Sequence, residues 1–209
     1  MKNLKILARN AKVGDGCFWI HPESINYNLI FSGINKDWLQ YKAVLGESHV
    51  TTIREAGDTR RGVYNNAKTL FGTKINVHPI FKEYKYKSNM TVLKEMSDLE
   101  IAMWYLDDGC CIERRDNKKD NLPMSYRYFL CIGNFCKENP DTEREFLDHM
   151  KIRFSKLVGN NIGNIKLNNS KASAKNKTWN MPVAIGRKLV QLAATLEVEG
   201  FDNKLRFRA

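Results

Sequence analysis

Two short runs rich in aromatic and β-branched residues, CFWIH at 17–21 and YNLIFSGI at 27–34, flank the turn-prone PESIN and predict a β-hairpin. The next segment, NKDWLQYKAVLG at 35–46, changes period. Trp38, Tyr41, Val44 and Leu45 fall on one side of a helix that Gly46 ends. HVTTIREAG and RGVYNNAKTLFG then predict a second hairpin. The same order returns later. CCIERR and YRYFLCIGNF predict a hairpin around the long polar loop DNKKDNLPMS. DTEREFLDHMKIRFSKLVG is an amphipathic helix capped by Asp141 or Thr142, with Phe146, Met150, Phe154 and Leu157 on one face. NIGNIKLNN and KTWNMPVAI add two strands, and GRKLVQLAATLEV a final helix.

This recurrence is an internal repeat, anchored by two short motifs. LARNAKVGDGCF at 7–18 and LEIAMWYLDDGCC at 99–111 each take a helix-compatible segment into Asp-Gly-Cys. Asp15-Gly16-Cys17 and Asp108-Gly109-Cys110 are 93 residues apart. Gly16 and Gly109 suit helix exits, where glycine tolerates a left-handed backbone. The expected fold class is α+β, with two pseudo-symmetric αββαββα halves at residues 1–95 and 96–209.

Composition narrows the partners more than the fold. The chain has 209 residues, 43% hydrophobic and 27% charged, which is enough to build a buried core. It has no run of about 18 apolar residues, so no membrane span is expected. MKNLKILARN lacks the pattern of a signal peptide. The cysteines are Cys17, Cys110, Cys111, Cys131 and Cys136; an odd count without a CxxC pair argues against a disulfide framework or structural zinc. Reduced thiols in an intracellular protein of unspecified compartment are the expectation. The net charge is +11, and it is evenly spread. Residues 1–98 carry 15 Lys and Arg against 9 Asp and Glu, and the remainder 19 against 14. Two similarly basic halves fit one shared polyanion, with nucleic acid as the leading candidate.

Against that charge, Asp107 and Asp108 stand out. They repel each other beside the apolar Trp104, Tyr105 and Leu106, an arrangement a bound cation would relieve. Taken singly, Asp15 and Asp108 read as ordinary helix-ending or turn residues; as a repeated pair in a basic chain they read as metal ligands. Adjacent Cys110 and Cys111 suit core packing at a strand start. His21, His49, His78 and His149 form no metal-binding or catalytic grouping and are expected to be surface or satisfied residues.

At these two motifs the sequence resembles the single-chain LAGLIDADG homing endonucleases. LEIAMWYLDDGCC is close to the family's usual form, whereas ARNAKVGDGC keeps only the terminal Gly-Asp-Gly. Arg9, Asn10 and Lys12 stand where the family has small or apolar residues. The resemblance implies a DNA-binding saddle with the motif helices packed at the interface of the halves. It implies Asp15 and Asp108 as catalytic metal ligands for Mg2+ or another divalent cation such as Mn2+. Asp107 occupies the position matching Gly14, as a secondary ligand, a cap or a tolerated residue. It further implies a lysine near each centre: Lys87 in the first half, with Lys85 as its rival, and Lys204 in the second. The implied activity is metal-dependent, site-specific cleavage of double-stranded DNA at a long quasi-palindromic target by a monomer, in the service of a mobile intron or intein. A maturase-like protein binding intron RNA, or a non-catalytic DNA-binding regulator, is the alternative on the same fold.

Nucleic-acid contact has its own candidates. The predicted first-half hairpin carries Arg54, Arg60, Arg61, Lys68 and Lys74. The second half adds Arg114, Arg115 and Arg127, and then Lys166, Lys171, Lys175 and Lys177 among Asn and Ser. Strands of this kind fit a major groove, with short polar side chains for base edges and cations for phosphates. Solvated edge-strand charge is the plainer reading of the same residues.

Overall fold

The computed structural model describes residues 1–20, 22–56, 68–114, 125–133, 142–158, 167–168 and 177–205. The chain divides into two compact units, Met1–Ser88 with Val198–Gly200, and Asn89–Glu197 with Phe201–Ala209. The first contains α1 (Lys2–Val13), β1 (Gly16–Ile20), β2 (Tyr27–Gly33), α2 (Lys36–Leu45), β3 (Val50–Arg54), β4 (Leu70–His78) and α3 (Pro79–Tyr86). The second contains α4 (Asn89–Glu95), α5 (Asp98–Asp108), β5 (Gly109–Arg114), β6 (Ser125–Cys131), α6 (Thr142–Arg153), α7 (Ser155–Val158), β7 (Leu167–Asn168), β8 (Thr178–Met181) and α8 (Val183–Ala194). None of the described helices is long and apolar enough to cross a membrane.

The repeat read from the sequence appears as one topology used twice. Among the described residues each unit has a four-stranded antiparallel sheet, ordered β1-β2-β4-β3 in one and β5-β6-β8-β7 in the other. In both, the strand following the Asp-Gly motif lies at an edge and pairs with the next strand. Gly16 faces Phe31 in the first ladder and Gly109 faces Leu130 in the second. Period-2 burial puts one face of each sheet in a core. Leu29, Phe31 and Ile75 are buried in the first unit, and Tyr128, Leu130, Trp179 and Met181 in the second. Helices α1, α2 and α3 cover the first sheet, and α5 and α8 pack together beside the second.

The helix ends explain themselves locally. Ser97 starts α5 with a reciprocal capping box: its hydroxyl accepts from the Glu100 N–H while the Glu100 carboxylate accepts from the Ser97 N–H at 2.8 Å. Residues 100–106 of α5 are all buried, which covers every face of the helix. At the exits, glycine is required for a reason other than the one expected. Gly109 has φ −85° and ψ 162°, and Gly200 is the described glycine with a left-handed backbone. What excludes a side chain at Gly16 is the approach of Ala11 and Phe31, and at Gly109 that of Tyr105. Each strand starts pressed against the helix that precedes it.

Candidate nucleic-acid and metal site

In the first unit α1 ends at Val13, Gly14 follows as a buried cap, and Asp15 is exposed at the turn into β1. Lys12, in the last turn of α1, donates from Nζ to the carbonyl of Lys85 at 3.2 Å. Lys87 ends α3, where its ammonium pairs with Glu83 at 2.6 Å and lies 4.4 Å from the Tyr84 ring centroid. Lys85 is exposed, with its ammonium 6.0 Å from the Phe18 ring centroid.

The second unit frames its aspartate more tightly. Asp107 and Asp108 are the last residues of α5 and are half-buried, with no basic residue in that turn. Two carboxylates at the negative end of a helix dipole are unfavourable by about 0.3–1 kcal/mol each. The offsetting charge comes from the C-terminal segment. Lys204 Nζ donates to the carbonyls of Leu106 at 2.6 Å and Asp107 at 2.9 Å. Tyr105 completes the tie by donating its hydroxyl to the Lys204 carbonyl at 2.9 Å. Burial pushes the Tyr105 phenol far up, so that O–H stays a donor. The Trp104 indole N–H donates to Asp108 Oδ2 at 2.9 Å, one helical turn apart.

These donors fit a hard divalent cation in kind: carboxylates at helix ends, with backbone carbonyls alongside. Among the described residues no group of three or more His, Cys, Asp or Glu gathers into a metal site. Side chains alone therefore build no closed cage there. In the first unit Asp15 would supply a ligand; in the second Asp108 would, with Lys204 as a neutralising charge.

The open sheet faces hold the remaining candidates. In the first sheet Cys17, Ile30 and Lys74 form a cross-strand row, and the Lys74 ammonium lies 4.7 Å from the Trp19 ring centroid on the same face. Ser32, Thr51 and Ile53 are exposed nearby. The matching row of the second sheet is Cys110, Phe129 and Asn180, and Arg127 is exposed opposite Ile112. Cys110 is thus an open-face residue, not the core packing expected of it, because strand alternation puts it in the exposed row and leaves Cys111 half-buried. Among the described residues the first face carries Lys74, with Arg54 half-buried and Lys68 exposed just ahead of β4. Lys177 is half-buried and paired with Glu143 at 2.8 Å. Arg114 is the last residue of β5. Arg60, Arg61, Arg115, Lys166, Lys171 and Lys175 lie outside the described residues.

Sequence reasoning missed three features here. Trp104 was read only as a burial residue, and its indole contact with Asp108 was detectable from the four-residue spacing alone. Trp19, 37% exposed on the open face, passed as an ordinary strand aromatic. His149, expected to be surface or satisfied, has a buried Nε2 with no hydrogen-bond partner.

No protein-family model and no curated protein matches this sequence. Among solved structures, the chain is similar to the homing endonuclease I-WcaI bound to its DNA recognition sequence. The TM-score is 0.66, over 99% of this chain and 88% of that one, at 16% identity. At that identity the likeness is one of fold, and it spans both units. The chain has the α+β fold of the LAGLIDADG homing endonucleases, which the paired Asp-Gly motifs implied.

Proposed function

We propose that this protein is a site-specific, divalent-metal-dependent endonuclease that cuts double-stranded DNA as a monomer. The observation that carries the reading is positional. In a fold shared along nearly its whole length with a DNA-bound homing endonuclease, each half puts one aspartate where its motif helix gives way to the edge strand of its sheet. Asp15 and Asp108 are the proposed ligands. When bound, a cation such as Mg2+ supplies a more acidic water and a counter-charge for the leaving oxygen. Asp108 is presented by the end of α5, and Lys204 sets a positive charge against the same end, where it balances the carboxylates and an approaching phosphate. Lys87 is the proposed counterpart in the first half, its charge already shared with Glu83.

The open sheet faces are the proposed groove readers. Cys17–Ile30–Lys74 and Cys110–Phe129–Asn180 occupy matching rows but differ in two of their three residues. Such halves read half-sites that are related and not identical, which fits a quasi-palindromic target.

Asp15→Asn and Asp108→Asn keep side-chain shape and remove the charge that holds a metal. Each is expected to cut turnover by about 10²-fold or more while leaving Ca2+-supported duplex binding intact. Asp107→Asn is expected to be milder. Cleavage in Mg2+ and binding in Ca2+ are measured on DNA spanning the joined flanks of the gene's insertion site. Full activity in both Asn variants overturns the assignment. A wild type that binds this DNA and never cuts it favours the regulator, and one that binds intron RNA instead favours the maturase.

A further inference from the structure

We infer that Trp104 is a positioning residue for Asp108, holding that carboxylate in one orientation for a metal ion. The inference rests on the endonuclease reading and concerns how one of its ligands is held. Residues four apart on a helix lie over one another, so the Asp108 carboxylate meets the Trp104 ring one turn back. The contact is a 2.9 Å indole N–H···Oδ2 hydrogen bond. It is charge-assisted, which makes it a strong constraint on the carboxylate rotamer.

The donor is itself immobilised. Trp104 is fully buried and packs edge-on against Phe146, with centroids 6.2 Å apart and an 81° interplanar angle. Phe146 packs edge-on in turn against Trp179 at 5.4 Å and 85°. Phe146 and Trp179 are also fully buried, so this aromatic stack fixes the direction of the Trp104 N–H. A ring with no room to turn holds its acceptor in one place. A hydrogen-bonded partner behind a ligating carboxylate is the usual way a protein orients a metal ligand.

The first half cannot form this contact from the same helix position. Its position 93 residues upstream of Trp104 is Ala11, which has no side-chain donor. The start of β1 packs closely on this residue: a Cβ on Gly16 would collide with Ala11. Asp15 also lies beyond the last helical residue and is exposed, whereas Asp108 is still helical and half-buried. The two halves spend the same position differently, one on close strand packing and the other on a hydrogen-bond donor.

The test uses the full chain on its target duplex. Trp104→Phe keeps an aromatic ring and deletes the N–H. The Mg2+ concentration for half-maximal cleavage is expected to rise about ten-fold, with Mn2+ affinity of the protein–duplex complex falling to match by calorimetry. Cleavage at saturating metal and Ca2+-supported duplex binding should stay near wild type. A second measurement needs no change at the buried ring. In a 15N-labelled protein with four tryptophans, the Trp104 indole resonance is expected to shift in Asp108→Asn while those of Trp19, Trp38 and Trp179 hold still. An unchanged metal requirement in Trp104→Phe, or an indole resonance indifferent to Asp108→Asn, overturns this inference alone. A wild type that neither cuts nor takes up Mn2+ overturns the endonuclease reading and this inference with it.

Discussion

Asn10 is fully buried in α1, and neither its amide nitrogen nor its carbonyl oxygen has a hydrogen-bond partner. A buried amide left in that state costs about 1–3 kcal/mol. The residue 93 places later is Met103, also buried. Asn10→Met is therefore expected to stabilise the protein by about 1–2 kcal/mol, read as a raised urea midpoint at unchanged slope. A lowered midpoint would show that the amide is used. Asn10 was legible as a departure from the motif, though its isolation was not, since sequence does not say which polar groups find partners. Lys42 was illegible for the opposite reason. Helical periodicity grouped Val44 with the apolar side and gave no reason to bury Lys42, yet Val44 is 65% exposed and Lys42 only 1%. The Lys42 ammonium lies 4.5 Å and 4.7 Å from the ring centroids of Phe31 and Trp38. Aromatic faces can hold a cation that hydropathy assigns to water. The two aspartates, by contrast, stand out in the sequence because a repeat distance marks them independently of their surroundings.

Elements followed the pattern wherever one face had to be apolar, and departed from it where tertiary contacts broke a run. The helix expected over 141–159 is described as α6 and α7, with the break at Phe154. There the chain tightens: the Phe154 N–H still donates to Met150 O, and the Leu157 N–H reaches Phe154 O only three residues back. Helix α6 is tied to its neighbours by ion pairs that include Lys94–Glu145 at 2.8 Å and Arg153–Asp98 at 2.6 Å. Arg153 also donates to the Met96 carbonyl at 2.6 Å. His149 stands among these groups. Burial, then Arg153 and Lys94, push its pKa below 6.5, with Glu145 pulling weakly the other way. The unfolded chain then binds the proton more readily than the folded one. Stability is expected to fall as pH drops below about 6.5, and to level off once the folded imidazole also protonates. His149→Gln should flatten the melting-temperature profile between neutral and mildly acid pH. An equally steep profile in the variant would place the acid sensitivity in other groups.

For the molecule as a whole, charge is expected to govern the proposed duplex affinity more than any single contact. If the open faces and their flanks neutralise phosphates, log K for duplex DNA should fall linearly with log salt, by about 0.9 per phosphate contacted. Arg127→Ala and Lys68→Ala, at exposed cations, should weaken binding to all sequences and lower that slope. Lys177→Ala should change it little, because Glu143 already holds that ammonium. A slope unmoved by all three would put the phosphate contacts elsewhere. The repeat made the doubled topology readable in advance, because any sequence that repeats helix, hairpin, helix and hairpin has to fold that unit twice. It gave no warning of where the first unit ends. Val198–Gly200 belongs to that unit: Asn35 Nδ2 donates to the Glu199 carbonyl at 2.9 Å, and Gly200 takes a left-handed backbone, φ +80°, where a side chain would strike Asn35. The halves are therefore not cassettes. A chimera that grafts residues 1–88 onto a foreign second half discards part of its own first half, so a crossover that exchanges the halves has to carry Val198–Gly200 along with residues 1–88.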